Sequence, residues 1–366
     1  MGFVQVFILA AMAVSVGLSA WAIRRDAPLE WRFAPAPFVD LERAAEFTTV
    51  LDYTAPTGQA HSPAIDLSGP LPRVIWFEGS EEAKADVDIF ASDLTESDGW
   101  LSSAPQRVLT RGGLTESFAS TELVVTLGNT IEDEGRGGLY ATVVSVGGWA
   151  MASVAEMHEG AARKLNLSPL LNRSFLVKSP MVAYAGGTWG LPAYFEMGSA
   201  YGALVRFGQD GRVRDMRRIP GPQKGIQPMI VPLDATRAVA ILRDFDSGAG
   251  RLLISRTMDG GQSWTVMEDA GVANPSAPVA ALNLGDGRIL MVVNDDAGNG
   301  GVLRLTLSGD GGESWDVLHT LEEGGEDARY PMMRILEDGR IMLTYSVGAK
   351  GGIRAHVFSA RWAVGT

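Results

Sequence analysis

Short apolar runs, each bounded by Gly or Asp turns, recur along most of the chain. Examples are residues 74–77, 140–146, 238–242 and 341–346, and several runs follow an Asp-Gly-Arg tripeptide such as Asp286-Gly287-Arg288. Asp-Gly before an aliphatic run is a hairpin signal, because Gly takes positive φ at no steric cost. Many short strands with closely spaced turns predict an all-β fold: a sandwich, a barrel or a propeller.

A different pattern opens the chain. Residues 3–23 form an apolar run, which Arg24 and Arg25 follow. As a helix this run is long enough to cross the roughly 30 Å hydrocarbon core of a bilayer. Two interpretations stay open for residues 1–25: an uncleaved signal anchor, or a signal peptide cleaved after Ala22 at a small-x-small site. The arginine pair favours the cytoplasmic side, in conflict with the extracytoplasmic location that the rest of the chain suggests.

A repeated box decides among the β architectures. The pattern [S/T]-x-D-G-G-x-S-W occurs at residues 257–264 and again at 308–315, with a weaker echo at 97–100. Such a box makes a tight hairpin, in which the Asp accepts turn amides and the Trp packs back onto the sheet. We therefore expect Asp259 and Asp310 to hold turns and to take no part in chemistry.

The repeat period also sets the domain organisation. Residues 26–45, with three prolines, are predicted to be a linker. At a period near 50, residues 46–366 accommodate six blades of about 54 residues each. The fold class predicted is all-β: a six-bladed β-propeller preceded by an N-terminal transmembrane or signal helix.

Composition excludes several function classes. The formal net charge is −12, and a nucleic-acid partner is not expected because phosphate binding needs a basic face. Cys is absent, which removes disulfides, thiolate metal sites and Cys nucleophiles. The four His residues show no metal-ligand spacing, so we expect no metal, and no cofactor is implied.

The boxes resemble the Asp-box, or bacterial neuraminidase repeat, of the sialidase-like β-propeller family. Further stretches are similar to the predicted-neuraminidase branch of that family, and they lie at residues 61–65, 76–80, 86–89, 178–180, 191–196, 330–331 and 338–340. The resemblance implies a six-bladed propeller of the sialidase type and an acidic glycan as partner.

The resemblance also implies site residues. Sialidases bind the substrate carboxylate with three arginines, use a loop Asp as acid/base, and attack with a Tyr assisted by a Glu. Tyr330 matches the nucleophile, Asp86 or Asp88 lies where the loop Asp is expected, and Arg243 resembles the second arginine of the triad. A neutral Tyr needs a base beside it before it can attack.

The chain departs from this pattern at three places. Gln227 lies 16 residues before Arg243, at the spacing expected for the assisting Glu, and an amide cannot accept a proton. The stretch expected to hold the first arginine reads His61-Ser62-Pro63, and residues 299–302 lack the third. Losing two charged contacts should weaken carboxylate binding by roughly 1.5–3 kcal/mol each.

Five further residues are candidates for the site. Lys178 and Glu196 each follow an apolar run. Each is either a charged residue of the pocket or a residue exposed to water at the end of a strand. Trp189 is expected either to stack on a sugar ring or to belong to the hydrophobic core. Gln227 is a substrate-binding candidate, and His61 is a structural residue or an acid/base, since its pKa lies near neutrality.

Three functions remain open. The first is a membrane-tethered, sialidase-like hydrolase at the periplasmic or extracytoplasmic face, secreted if cleaved, which acts on an acidic or modified sugar. Arg243 and Lys178 would bind the anion, Tyr330 would act at the anomeric carbon, and Asp86, Asp88 or Glu196 would be the general acid. The second is a uronic-acid polysaccharide lyase that uses one Arg, one His and one Tyr. The third is a non-catalytic glycan-binding propeller.

Overall fold

The structure is a computed structural model, and two compact units divide the chain, Met1–Glu30 and Trp31–Thr366. Residues 26 and 27 of the predicted linker lie outside the described residues. The structure describes residues 2–25, 28–120, 122–134, 136–167, 173–246, 248–324, 327–348 and 351–365.

Among its described residues, the first unit contains one long helix, α1 (Phe3–Arg25). Its segment Val4–Ile23 has a mean hydropathy of 2.2 and is not buried inside the protein. By length and composition the helix is able to cross a membrane, a property that signal sequences share. The predicted N-terminal helix is therefore present, in a form that fits either an anchor or a signal peptide.

The second unit is nearly all β structure. Two short α-helices, α2 (Arg111–Ser117) and α3 (Ala360–Val364), and a 3₁₀ turn at Gly148–Met151 accompany the strands. Strands β1 to β13 are Phe47–Thr54, Gln59–Asp66, Arg73–Gly79, Asp88–Glu96, Trp100–Ser102, Gln106–Leu109, Thr126–Asp133, Gly138–Val144, Ala152–His158, Ala161–Lys164, Phe175–Val177, Val182–Ala183 and Trp189–Phe195. Strands β14 to β26 are Tyr201–Phe207, Val213–Arg218, Gly225–Pro232, Ala238–Asp244, Arg251–Thr257, Glu268–Ala273, Ala280–Gly285, Arg288–Val293, Leu303–Ser308, Asp316–Glu322, Ala328–Ile335, Ile341–Val347 and Gly352–Phe358.

These strands form six antiparallel sheets of four or five strands in the described part of the chain. In chain order, the blades are β2–β6, β7–β10, β11–β15, β16–β19, β20–β23 and β24–β26. The N-terminal strand β1 pairs with β26 and supplies the outermost strand of the sixth blade. The predicted six-bladed β-propeller is confirmed, with its ring closed by strands from both ends of the unit.

The two faces of the propeller differ in what they carry. We call the face where the innermost strands β2, β7, β11, β16, β20 and β24 begin the upper face, and the face where they end the lower face. Buried aliphatic and aromatic side chains fill the spaces between blades, as in the cluster of Met229, Ile241, Ile254 and Met291. The packed blades leave the strand ends and loops to build a site.

Both sequence boxes lie in turns at the lower face. Asp259 accepts hydrogen bonds from the Ser263 amide at 2.9 Å and the Ser263 hydroxyl at 2.5 Å. Asp310 makes the same two contacts with Ser314, at 3.0 and 2.5 Å. Gly261 has a φ of 91°, which the turn requires. The prediction that these Asp residues hold turns is confirmed.

The stretch before β1 lies along the lower face. The Phe33 amide donates to the Ala235 carbonyl at 2.8 Å, and the Asp40 amide donates to the Gly339 carbonyl at 3.1 Å. Trp31 lies so close to Gly260 that a Cβ there would meet the Trp31 carbonyl oxygen at 1.5 Å. Residues 31–46, most of the predicted linker, are therefore packed on the propeller.

Candidate functional site

The innermost strands bulge near the upper face, at the mouth of the central channel. In four of the six blades the register shifts by the same step, between His61 and Ala64, Leu127 and Thr130, Ile226 and Met229, and Arg329 and Met332. Bulges redirect side chains and are frequent beside active sites. The repeated bulge thus marks the upper mouth of the channel as the candidate site.

Three bulge residues have left-handed backbone conformations. The φ angles of Ser62, Gln227 and Tyr330 are 52°, 51° and 57°. Each precedes a Pro, which restricts the preceding residue further, and such strain costs about 1–3 kcal/mol per residue. Strained residues of this kind persist where the surrounding structure holds them, and they concentrate at functional sites.

Tyr330 lies at the centre of this mouth. The ring of His61 meets the ring of Tyr330 edge-on, with 4.7 Å between the centroids. Burial raises the pKa of Tyr330, while the neighbouring Arg243 guanidinium acts in the opposite direction. Burial, reinforced by Arg329, lowers the pKa of His61 to about 4, so its imidazole is neutral at pH 7. A neutral imidazole next to a phenol is able to accept a proton.

Arg243 is held by hydrogen bonds on two sides. Its Nη1 donates to Oε1 of Gln227 at 3.2 Å, and its Nε donates to the Ser276 hydroxyl at 3.0 Å. The buried Gln227 amide in turn donates to the Tyr194 hydroxyl at 3.3 Å. The spacing between residues 227 and 243 therefore corresponds to direct contact, in which the amide orients the guanidinium.

Two carboxyl groups approach Arg243 from loops of different blades. Glu82 lies in the loop between β3 and β4, and Glu196 follows β13. Burial raises the pKa of Glu82 and the pKa of Glu196, and in both cases Arg243 opposes the shift. Glu82 also raises the pKa of Tyr330, which places its charge within reach of the phenol. A carboxyl group with a raised pKa is a suitable general acid.

Arg329 adds a second cation beside Tyr330. Its Nε lies 3.5 Å from the Asp327 carboxylate. A Cβ at Gly300 would come within 2.7 Å of its Nη2, so the guanidinium fills the space next to Gly300. The stretch 299–302, where the third arginine was expected, is thus covered by an arginine from the next blade.

Lys178 lies deeper in the channel. Its side chain is 4% exposed, and Nζ donates to the carbonyls of Val279 at 2.8 Å and Pro331 at 2.5 Å. Burial lowers the pKa of Lys178 to about 7. The predicted role in binding an anionic sugar stays a prediction, since these two hydrogen bonds of Nζ go to backbone carbonyls.

Asp86 and Asp88 have partners within their own blade. Asp86 accepts hydrogen bonds from the amide and hydroxyl of Ser80, both at 3.0 Å. Asp88 accepts the Arg111 amide at 2.8 Å and pairs with Arg107 at 3.3 Å. These contacts hold the loop and α2, and they do not bring either carboxylate together with Tyr330.

Trp189 lies at the other end of the channel. It pairs with Ala183, at the lower end of the innermost strand of its blade, and lines a small apolar cavity of about 160 Å³ with Met181 and Met229. The structure therefore separates it from Tyr330. A sugar that stacks on Trp189 would occupy a different place from one that contacts Tyr330.

Glu82, Ser276 and Arg329 join the site without having been singled out in the sequence. A signal for part of the set is a proline that recurs at the start of five innermost strands, in 61–63, 178–180, 226–228, 276–278 and 329–331. The one or two residues before these prolines include Tyr330, Gln227, His61 and Arg329. Glu82 carries no such signal, because it lies in an irregular loop.

The arrangement combines groups suited to binding an anion with groups suited to proton transfer. Two guanidinium groups are suited to a carboxylate, two carboxyl groups with raised pKa values are suited to proton donation, and a Tyr is suited to attack or proton transfer. The groups come from separate blades, so the folded ring is needed to bring them together.

Comparison with known proteins places the chain among propellers of this kind. Residues 73–343 match the family model described as BNR repeat-like domain. No curated protein sequence matches the chain. Among solved structures, a Hadza microbial sialidase has a TM-score of 0.62 at 12% identity, over 83% of this chain and 66% of its own. A Dyadobacter fermentans protein of unknown function has a TM-score of 0.61 at 13% identity, over 86% of this chain and 99% of its own.

A third solved structure is the Trypanosoma rangeli sialidase in complex with the inhibitor DANA. Its TM-score is 0.59 at 12% identity, over 82% of this chain and 55% of its own. The chain thus spans about two thirds of the first sialidase and about half of this one. At these identities the similarity establishes the shared propeller fold.

Proposed function

Because the chain belongs to the family of BNR repeat-like domains, we propose that it is a sialidase-like glycoside hydrolase acting on an acidic or modified sugar. The observation that carries this proposal is the convergence of Tyr330, Arg243, Glu82 and Glu196 at one channel mouth. The membership of the chain in a sialidase-type family supports a glycan as the substrate class. The named sialidases among the similar structures support it as well.

Substrate binding relies on the cations. Arg243, oriented by Gln227 and Ser276, holds the sugar carboxylate by charge-assisted hydrogen bonds, and Arg329 contributes from the side of Gly300. This site has two arginines, whereas the sialidase pattern has three. We therefore expect it to bind an acidic sugar with lower affinity than a complete arginine triad binds a sialoside. The modified or unusual acidic sugars of envelope or extracellular glycans fit this expectation.

Chemistry relies on Tyr330 and Glu82. Tyr330 attacks the anomeric carbon and passes its proton to a neighbouring base, for which the neutral His61 is suited. Glu82, whose pKa is raised by burial, donates a proton in its acid form to the leaving oxygen. Water then attacks the anomeric carbon and gives a proton to the Glu82 carboxylate. The bond to Tyr330 breaks, and His61 returns its proton to the phenolate, which completes a hydrolysis. Glu196 supplies a second carboxyl group near Arg243.

The N-terminal helix supports a location at a membrane or outside the cell. An uncleaved α1 would tether the propeller to the membrane at the periplasmic or extracytoplasmic face, and cleavage after Ala22 would release it. Either outcome brings the site to extracytoplasmic glycans.

One experiment tests the function directly. The full chain, purified in detergent, is incubated with sialosides and uronic-acid oligosaccharides, and the products are read by mass spectrometry. Hydrolysis adds the mass of water, and we expect Tyr330→Phe to abolish it. Tyr345→Phe is the matched control, because it removes a hydroxyl of the same blade that donates to Glu322 away from the site. Retained turnover in Tyr330→Phe would overturn the assignment.

Elimination is a second candidate, favoured by the contact between His61 and Tyr330. A lyase neutralises a uronate carboxylate, removes the neighbouring proton and protonates the leaving oxygen. Arg243, His61 and Tyr330 are assigned to these three tasks, with His61 unprotonated at neutral pH and its ring against that of Tyr330. Unsaturated products without added water would assign this reaction. Binding of the same oligosaccharides without any product would assign a glycan-binding propeller.

A further inference from the structure

A buried lysine crosses the channel directly beneath the proposed nucleophile. Lys178 belongs to the third blade, whereas its two hydrogen-bond acceptors, the carbonyls of Val279 and Pro331, belong to the fifth and sixth. The side chain thus reaches across the ring to the residue that follows Tyr330. A lysine is seldom buried to this extent without a specific partner.

The acceptor at Pro331 matters because Tyr330 is strained. A φ of 57° is unusual for an aromatic residue and more so before a Pro. The register of β24 and β25 is lost between Arg329 and Met332, so the sheet does not fix the peptide that joins Tyr330 to Met332. The hydrogen bond from Nζ to the Pro331 carbonyl at 2.5 Å supplies a fixed point within this bulge.

We infer that Lys178 is a positioning residue, which holds the bulge of the sixth blade so that Tyr330 faces the substrate. This inference rests on the proposed function of Tyr330. The lysine acts through the backbone and does not touch the sugar, in contrast to a substrate-binding lysine. Its second bond, to Val279, ties the same point to the fifth blade.

The inference predicts a separation of kinetic effects. In Lys178→Met, which removes the donors while keeping the length of the side chain, we expect kcat to fall at least tenfold and KM to stay within twofold. A lysine that binds the sugar carboxylate would instead raise KM at nearly constant kcat. That result, or unchanged kcat and KM in a folded variant, would overturn the inference.

Arg206→Met controls for loss of a buried basic side chain. Arg206 is fully buried, and its guanidinium lies 3.2 Å from the ring centre of Tyr184, toward the lower face. We expect this variant to lose stability while kcat and KM stay within twofold of the wild type. Lys178→Arg, which keeps two donors, should recover part of the lost kcat and serves as the test if Lys178→Met does not fold.

A spectroscopic measurement separates this inference from the proposed function. 3-Fluorotyrosine placed at position 330 of the full chain gives one ¹⁹F resonance, which reports the surroundings of the ring without any turnover. We expect Lys178→Met to shift or broaden this resonance and Arg206→Met to leave it unchanged. An unchanged resonance in Lys178→Met would overturn the positioning role, whereas absence of turnover in the wild type would overturn only the hydrolase.

Discussion

Gln227 shows how one side chain changes the chemistry that its neighbours must perform. Its amide accepts from Arg243 and donates to Tyr194, so it binds both without carrying charge. Because an amide does not titrate between pH 4 and 9, it orients Arg243 throughout that range but cannot accept the proton of Tyr330. Proton transfer therefore depends on His61 and on the carboxyl groups from the loops.

Glu82 is the residue on which we expect leaving-group protonation to depend. In Glu82→Gln, kcat should fall about 10²-fold or more for a natural glycan, since positioned acids contribute that much. The loss should be smaller for an aryl glycoside, whose leaving group needs no proton. Because the pKa of Glu82 is raised, the wild-type kcat should decline as pH rises above that pKa, and Glu82→Gln should lack this decline.

The neighbouring Glu81 offers a matched control. Glu81 pairs with Lys84 at 3.2 Å on an exposed part of the same loop. We expect Glu81→Gln to keep the wild-type rate and pH profile. Equal losses on aryl and natural substrates in Glu82→Gln would instead indicate that Glu82 aids binding or loop structure, and Glu196 would become the stronger candidate for the acid.

At the scale of elements, the two faces have different roles: turns at the lower face stabilise the blades, and strand ends at the upper face form the candidate site. The boxes close hairpins at the lower face, where Asp259 and Asp310 each bind the Ser four residues later. The bulges open the innermost strands at the upper face, where Tyr330 and Gln227 lie. Changes in a box should therefore affect stability without affecting the site.

Asp310→Ala tests this division. Its carboxylate accepts from the Ser314 amide and hydroxyl and from the Glu313 amide at 2.9 Å. We expect a loss of about 1–2 kcal/mol in the free energy of unfolding. This is less than three charge-assisted hydrogen bonds would contribute if they were buried, because the turn is exposed to water. Thermal unfolding should show a lower Tm, and kcat/KM should not change.

Asp98→Ala is the comparison, since residues 97–100 match the box only in part. We expect a smaller change in Tm from this variant. A large loss of activity in Asp310→Ala at a temperature where the protein is folded would show that the two faces are coupled, contrary to this division.

The same division explains how far the sequence predicts the structure. Alternating turns and the two boxes are local signals, so blade number and the turn role of Asp259 and Asp310 follow from them. Arg243 and Gln227 pair across adjacent antiparallel strands, which sequence spacing is able to suggest. Whether Trp189 or Glu82 faces the mouth depends on strand direction and loop path, and these depend on contacts between blades that no local pattern contains.

At the scale of the whole molecule, the order of the chain places the strap of residues 31–46 and the candidate site on opposite faces. Trp31 packs by Tyr184 and Arg206 at the lower face, with 6.4 Å between its ring centre and that of Tyr184. The strap then leads into β1, which closes the ring. The strap thus does not cover the upper mouth.

Ring closure is secured by a chain of hydrogen bonds across four strands and two blades. Tyr345 donates to Glu322 at 2.7 Å, so the nitrogen of His356 that lies 2.9 Å from the Tyr345 oxygen carries the proton. The other ring nitrogen of His356 then accepts from the Thr49 hydroxyl of β1, at 3.1 Å. This sequence of donors fits a neutral imidazole.

Acid should therefore weaken the closed ring. Burial, reinforced by Arg354 and opposed by Asp52, lowers the pKa of His356 from 6.5 to about 4. The unfolded chain then binds more protons than the folded one between these values, so stability falls as pH drops through them. A shift of this size corresponds to about 3 kcal/mol at most. His61, with a pKa of about 4, contributes with the same sign.

His356→Phe keeps the ring that stacks on Phe47 but cannot titrate. We expect urea unfolding of the full chain to show a smaller loss of stability between pH 7 and pH 4.5 than in the wild type, with His61 responsible for part of the remainder. His319→Phe, in the same groove between the fifth and sixth blades, is the control and should keep the wild-type loss. An identical acid-induced loss in His356→Phe and the wild type would mean that closure of the ring does not depend on the neutral imidazole.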